Sequence, residues 1–299
     1  MDSFLEESLQ KKRLLCQTGF FFVHNGYFGF IFSGSIYTGF FKRVCAPGLN
    51  CASCPAALFA CPIGILQNFL ASLKVFNFKS LVSIGSYILG FFLLYGAIFG
   101  RLICGWVCPF GFIQDLLYKV PFFKKRLITS LSLQRAIRVL VLFTVLVFPW
   151  LFLNSIGIGE ETFCKYICPS GTLLAGLPNI ALHPSFTSMI GKVFCLKLFV
   201  LFVVIVGAIV DQRFFCKYVC PLGFIYGFFN SMSIFRVKHI AEKCNDCKMC
   251  TRVCPVGIDP RTQVDTVECI RCLNCAKVCK NQAIIYGFNL KDVSEAEVK

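Results

Sequence analysis

Twenty cysteines are the side chains in this chain best suited to chemistry, and their spacing says what kind. Cys244, Cys247 and Cys250 stand three apart and are followed by Cys254-Pro255; the rhythm returns as Cys269, Cys272, Cys275 and Cys279. Three thiolates at that interval can wrap one face of a cubane, and the fourth cysteine of each run closes the cage of the other. The spacing therefore predicts two [4Fe-4S] sites, cluster I on Cys244, Cys247, Cys250 and Cys279 and cluster II on Cys269, Cys272, Cys275 and Cys254. Zinc also accepts four thiolates, but two interleaved sets favour iron-sulfur. The second run ends in Cys279-Lys280, without the proline of the first.

Upstream, one phrase repeats: Cys104-Gly-Trp-Val-Cys108-Pro-Phe-Gly111, Cys164-Lys-Tyr-Ile-Cys168-Pro-Ser-Gly171 and Cys216-Lys-Tyr-Val-Cys220-Pro-Leu-Gly223, with Cys61-Pro62-Ile63-Gly64 as an altered copy. Cysteines at i and i+4 can face the same way on a helical turn, and the proline redirects the chain after them. Each pair supplies half a cubane, so pairs must combine. Cys104, Cys108, Cys216 and Cys220 form the expected inner set. Cys54, Cys61, Cys164 and Cys168 form the preferred outer set, with Cys51 as the alternative to Cys54; a disulfide between Cys45 and Cys51 competes with metal. Gln67 and Gln114 fall at one offset, six residues after Cys61 and Cys108. Cys16 and Cys195, alone among apolar residues, read as small buried hydrophobes.

The elements that must hold these cysteines belong to a membrane. The chain is 57% hydrophobic and only 15% charged, with 35 Phe, which excludes a soluble basic nucleic-acid binder. Four uncharged runs read as spans: Leu14 to Phe41, Ser80 to Gly100, Val139 to Gly159, and Val193 to Val210 with Lys197 snorkelling. The expected fold is an all-α polytopic core of about four spans, built of repeated units of span, Cys-x3-Cys-Pro and interfacial helix, with a C-terminal α+β two-cluster ferredoxin domain. The divisions are 1–13 tail, 14–79 first span and outer cysteine-rich segment, 80–238 membrane core, 239–290 ferredoxin domain and 291–299 polar tail. Alternating spans place fifteen Lys and Arg before the last domain on one side against six on the other. That bias predicts a cytoplasmic-membrane protein with both termini and the ferredoxin domain inside. The polar start and the lack of a small-residue cleavage site make the first run an anchor rather than a signal peptide.

The Cys-Gly-Trp-Val-Cys-Pro-Phe-Gly phrase, its Cys-Lys-Tyr-x-Cys-Pro partners and the double cysteine run resemble the membrane-bound polyferredoxin family. That family includes the NapH subunit of nitrate-reductase quinol dehydrogenases, the membrane part of NosR and the CcoG copper-handling proteins. The resemblance covers about residues 80 to 290. It implies a cluster on Cys104, Cys108, Cys216 and Cys220, two more on Cys244 to Cys279, and electron transfer between the quinone pool or a cytoplasmic donor and an outside partner. Cys164/Cys168 and the segment 45–61 are additions to that pattern.

Only three His occur. His24, His183 and His239 fall at unmatched depths, and no Cys-x-x-Cys-His is present, so neither haem b nor haem c is expected. Gly26, Gly29, Gly34 and Gly39 make no nucleotide fingerprint. His24, the one ionisable group within the span cores, reads as a packing residue or as a quinone-site proton acceptor. The leading function is an electron-transfer subunit that relays electrons across the membrane to an exported redox partner. Partner subunits, flavin- or haem-bearing, are expected on one or both faces. The alternatives are a quinol or quinone oxidoreductase subunit and a copper-reductase-like assembly protein using exposed thiols at Cys45 and Cys51.

Overall fold

The computed structural model describes residues 2–289 except 76, 123, 125–129, 153–157, 184, 186, 188 and 189. Three helices among these are long and apolar enough to cross a bilayer: Phe78–Phe99, Leu131–Leu151 and Lys192–Val210. At 1.5 Å per residue each reaches across roughly 30 Å of hydrocarbon. Their outward faces expose Leu89, Leu94, Leu140, Phe143, Phe199 and Phe202, which lipid solvates as well as a protein core does. These helices make the chain a multi-pass membrane protein. Their bounds differ by a few residues from the apolar runs, except that the second, Leu131–Leu151, begins eight residues before Val139 and ends eight before Gly159. Residues 153–157 of that expected span and the tail 291–299 lie outside the described residues.

The first expected span is corrected. Leu14 to Phe41 is not one helix: the N-terminal helix occupies Asp2–His24, and the chain leaves it around Gly26, where a Cβ would stand 2.7 Å from the Phe22 carbonyl oxygen. Uncharged composition signals solvation by lipid, not helix continuity, and the glycines that follow break the ladder. The helix begins beside the C-terminal segment, where Lys277 Nζ donates to Gln10 Oε1 at 2.8 Å. It ends where the His24 carbonyl accepts the Leu58 N–H at 2.8 Å. It thus links the face that carries the C-terminal segment to the residues 45–61.

Each of the four upstream Cys-Pro motifs starts a short helix: Pro62–Ala71, Pro109–Leu117 and Pro221–Phe228, with Pro169–Gly171 continuing through π-type turns to Leu182. Proline suits the first helical position because that position has no N–H to satisfy. Each turns one face into the protein, burying Ile63 and Gln67, Phe110 and Gln114, and Leu222 and Tyr226 respectively in the first, second and last of the three longer ones. With the long helices they enclose a core that holds Cys61, Cys104, Cys108, Cys168 and Cys220 among Leu49, Phe110, Phe163, Phe215 and Tyr226.

The C-terminal segment pairs two antiparallel strands, β1 (Phe235–His239) and β2 (Ile284–Phe288), with Val237 opposite Tyr286. The short helices Met249–Arg252 and Asn274–Val278 lie between them in sequence. The segment is α+β in content but not a separate body. Arg138 of the second long helix meets Glu268 at 3.1 Å with both side chains buried. Arg101 donates to the carbonyls of Val267 at 2.6 Å and Glu268 at 2.9 Å. Arg271, fully buried, forks onto the carbonyl of Asn230 and the hydroxyl of Ser233 at 2.5 Å each. The segment also has buried clusters of its own, Phe235, Val237, Val264, Leu273 and Ile284 in one and Val256, Ile258 and Ile270 in the other.

Candidate metal centre

In the C-terminal segment, Cys247 is flanked by left-handed Asp246 and Lys248, and Cys272 by left-handed Arg271 and Leu273. Such alternation coils the chain into a concave loop whose backbone N–H groups turn inward, a setting that favours anions. One cavity is lined by Cys244, Cys247, Cys250 and Cys279, together with His239. A second is lined by Cys254, Cys269, Cys272 and Cys275. The eight thiols are therefore grouped across the two runs. Burial pushes the Cys269 thiol up to about 12 and the Cys254 thiol up to about 11, so their thiolates need a metal to exist here.

The inner set is held by the helical turns Leu102–Trp106 and Phe214–Tyr218. In three motifs the second cysteine closes the turn the same way: its N–H donates five residues back, Cys108 to Ile103 at 3.0 Å, Cys220 to Phe215 at 3.0 Å and Cys168 to Phe163 at 2.8 Å. Cys104, Cys108, Cys216 and Cys220 are all buried and lie within electrostatic range of one another. Gln114 ties the halves together, accepting from the Phe215 N–H at 3.0 Å and donating to Cys216 Sγ at 3.2 Å. Arg213 pairs with Asp115 at 2.5 Å and Arg13 reaches the same carboxylate at 2.7 Å. Burial alone would raise the Asp115 carboxyl, but Arg213 and Arg13 hold it at about 2. Lys217 is buried against Asp211 at 2.7 Å.

A cavity of about 640 Å³ gathers Cys51, Cys61, Cys164 and Cys168, with Asn50, Ser170, Glu160, Glu161 and Lys197 also on its wall. A Cβ on Gly171 would stand 3.6 Å from Cys51 Sγ and 4.0 Å from Cys168 Sγ. Of the two alternatives Cys51 and Cys54, Cys51 is on the wall of this cavity, while Cys54 is buried beside it with Ala57 and Ala175 in a cluster against which Cys51 also packs. Spacing could not decide between them because the segment 45–61 is irregular. Gln67 Oε1 accepts the Cys164 N–H at 3.1 Å, as its counterpart Gln114 accepts from Phe215.

None of the twenty cysteines is paired in a disulfide in this structure, Cys45 and Cys51 included. Cys45 is buried, with its N–H on the Tyr87 hydroxyl at 2.9 Å, so it is not an exposed exchangeable thiol. Cys195 is exposed and Cys16 half-buried, against the expectation that both are buried; a lipid-facing thiol needs no core. His24 is buried between Phe20 and Phe59 with its Nδ1 on the Phe20 carbonyl at 2.7 Å, the arrangement of a packing residue.

Among the described residues no three His, Cys, Asp or Glu converge on a single-ion position; the thiols share cavities instead. Buried polar atoms without partners cluster at these same cavities. Six of the eleven found among the described residues are donors at these sites: His239 Nε2 at the first, Arg271 Nε at the second, Arg101 Nε beside Cys104, and Asn50 Nδ2, Gln67 Nε2 and Ser170 Oγ around the outer set. Donors left unpaired in an apolar interior are costly, and anionic sulfur-rich groups would satisfy them. The residues fit [4Fe-4S] clusters. Asn50, Ser170 and Asp115 were not evident in the sequence as site residues; the only signal was adjacency to Cys51, a place inside a Cys-Pro-x-Gly motif, and a lone acid in an apolar run.

The family described as "4Fe-4S binding domain" matches residues 59–80, 84–129, 136–178 and 197–240, just over half of the chain. The uncharacterized protein MJ0749 of Methanocaldococcus jannaschii is 30% identical over 198 residues, 66% of this chain and 68% of its own. The putative electron transport protein YccM of Escherichia coli is 26% identical over 234 residues, 73% of this chain and 59% of its own. The ferredoxin-type protein NapH of Escherichia coli is 28% identical over 198 residues, 62% and 61% of the two chains. No solved structure matches the chain. Repeated Cys-Pro turns inside a membrane-helix core and a match over that same core lead to one conclusion: the chain belongs to the family of membrane-associated 4Fe-4S binding proteins related to NapH, NosR, MauN and YccM.

Proposed function

We propose that this protein is an electron-transfer subunit that relays electrons between a donor or acceptor on its C-terminal face and a redox partner on the other side. The observation that carries the reading is the succession of four cysteine sites through the molecule. The two C-terminal cavities come first. Next to them, Gly105 approaches so closely that a Cβ would stand 2.6 Å from the Ile270 carbonyl oxygen and 3.6 Å from Cys272 Cα. Trp106 Nε1 donates to the Arg271 carbonyl at 3.1 Å across the same boundary. The inner set thus abuts the second C-terminal site, and the outer cavity follows it.

In this reading cluster I is held by Cys244, Cys247, Cys250 and Cys279, and cluster II by Cys254, Cys269, Cys272 and Cys275. The inner group is held by Cys104, Cys108, Cys216 and Cys220, and the outer by Cys51, Cys61, Cys164 and Cys168. When bound, the clusters supply one-electron carriers. The chain's own residues exclude water, set the ligands' positions and direct N–H donors at the sulfurs. The basic-residue bias supports placing both termini and the C-terminal segment in the cytoplasm. Anaerobic full-length protein should contain about sixteen iron atoms and as many sulfides, four cubanes. Reconstituted in liposomes, it should reduce an enclosed acceptor from an external, impermeant donor; retention of both the iron and an electron-tight membrane would defeat the relay.

A quinol or quinone subunit is the second reading. It is favoured by an apolar cavity of about 280 Å³ lined by Thr144, Phe148, Phe152, Thr162, Tyr166 and Glu160, since Glu160 also borders the outer cavity. Quinone-dependent reduction of the clusters without transfer across the liposome membrane would select it.

A further inference from the structure

Two consecutive residues connect the inner and outer cysteine sets. The Leu49 N–H donates to Cys108 Sγ at 3.3 Å, and Leu49 and the next residue, Asn50, both line the outer cavity with Cys51 and Cys61. Cys61 and Cys108 pack in one buried cluster with Leu49. Consecutive residues lie about 3.8 Å apart, so a single peptide separates the residue bonded to an inner ligand sulfur from the wall of the outer cavity, and the two sets approach to on the order of 10 Å. Sets held at opposite faces would stand roughly 30 Å apart.

The contact is built rather than incidental. Gly48 presses on the inner motif so tightly that a Cβ there would meet Cys108 Cα at 2.7 Å and Pro109 Cδ at 3.0 Å. Asn50 is fully buried and borders the outer cavity, and neither atom of its side-chain amide has a partner. The buried Tyr226, whose hydroxyl has no partner, packs in the same cluster as Cys61, Cys104 and Cys108.

We propose that the Leu49–Asn50 peptide couples the two membrane-core centres, with Asn50 as a positioning residue shared between them. Its main chain, with Leu49, spaces one ligand sulfur of each set, and its side-chain amide donates to the group held by Cys51, Cys61, Cys164 and Cys168. The inference rests on the assignment of clusters to the inner and outer sets, and it goes further by making the pair one coupled unit.

The test is electron paramagnetic resonance of the full-length, anaerobically purified protein reduced with dithionite. Besides any interaction with the adjoining C-terminal centre, the inner centre's signal should show a magnetic interaction that Cys164→Ser removes and Cys269→Ser leaves in place. Asn50→Ala should keep the iron content and move the midpoint potential of the outer centre negative, because one donor to its sulfur is lost. Iron for four cubanes with magnetically isolated core centres would overturn the coupling, and so would Asn50→Ala with every potential unchanged. Where Asn50→Ala does not accumulate, the interaction in the unmodified protein decides. Iron for only the two C-terminal cubanes would overturn the assignment of the core sites itself, and the coupling with it.

Discussion

Arg101 and Arg213 clasp each other's motif. Arg101 Nη2 donates to the Cys216 carbonyl at 2.7 Å, and Arg213 Nη1 donates to the Cys104 carbonyl at 2.5 Å. Each arginine stands three residues before the first cysteine of its own pair, so each half of the inner set is positioned by the other half. Arg213 does this from a left-handed backbone, φ 63°, a conformation that costs a non-glycine residue on the order of 1 kcal/mol or more.

The clasp explains the glycine of Cys-Pro-x-Gly and yields a contrast between equivalent positions. A Cβ on Gly111 would stand 2.2 Å from Arg213 Nη1, and one on Gly223 would stand 2.8 Å from Arg101 Nη2, whereas at Gly64 the nearest atom is 3.7 Å away. Both guanidinium groups are buried and pinned, so they cannot swing aside. Gly111→Ala and Gly223→Ala should each destabilise the protein by about 1–3 kcal/mol, read as a lower thermal midpoint in detergent, while Gly64→Ala should change it little. Equal effects at all three positions would contradict this account.

Asp115 offsets two buried cations at once. Its carboxyl is held down from an ordinary 3.8 to about 2, so its contribution to stability is complete above about pH 4 and is lost as pH falls toward 2. No change traceable to this group is expected between pH 5 and pH 8. Asp115→Asn would leave Arg213 and Arg13 without their counter-charge, a loss of about 3–5 kcal/mol for a broken buried pair. Poor accumulation of the folded protein at neutral pH is the expected result, measured by gel filtration in detergent.

Sequence made some of this legible and hid the rest for physical reasons. The Cys-Pro turns recur as read because their geometry is local: the cysteine N–H closes on a carbonyl five residues back and proline restarts the helix. The first expected span failed because lipid compatibility is a property of composition, while the helix ends at His24 just before Gly26, where the turn leaves no room for a Cβ. In the sequence Arg101 and Arg213 are only two of the basic residues that set the bias between the sides. Their partners are carbonyls more than a hundred residues away, which no local spacing encodes. Cys51 and Cys54 were ambiguous for the same reason, being three residues apart on a segment without periodicity.

Those two cysteines should now separate by experiment. Cys51→Ala should remove about four irons per chain, one cubane, whereas Cys54→Ala should leave the iron content intact. The reverse result would return Cys54 to the outer set.

In the C-terminal segment, Cys254 belongs by sequence to the first run but lines a cavity with Cys269, Cys272 and Cys275. Cys254→Ala should therefore damage the centre of the second run. Spectra of the variant showing selective loss of the centre on Cys244, Cys247 and Cys250 would contradict the grouping.

Gln67 offers the sharpest reading of the outer site. Its Oε1 holds the Cys164 N–H at 3.1 Å, yet its Nε2 is buried without a partner. The equivalent Gln114 Nε2 reaches Cys216 Sγ at 3.2 Å, so a cluster sulfur in the outer set is the fitting acceptor for Gln67. A hydrogen bond to a charged group is worth about 1.5–3 kcal/mol, and it favours the more negative, reduced state. A tenfold change in a one-electron equilibrium is about 59 mV, so losing the donor should lower the outer centre's potential by something on the order of 50 mV. Gln67→Glu keeps the acceptor for Cys164 but replaces the donor with a second oxygen, and it should lower the potential more than Gln67→Leu does. Redox titration of both variants, with iron content measured on the same samples, tests this. Unchanged potentials at full iron occupancy would show that the Gln67 amide does not face the cluster.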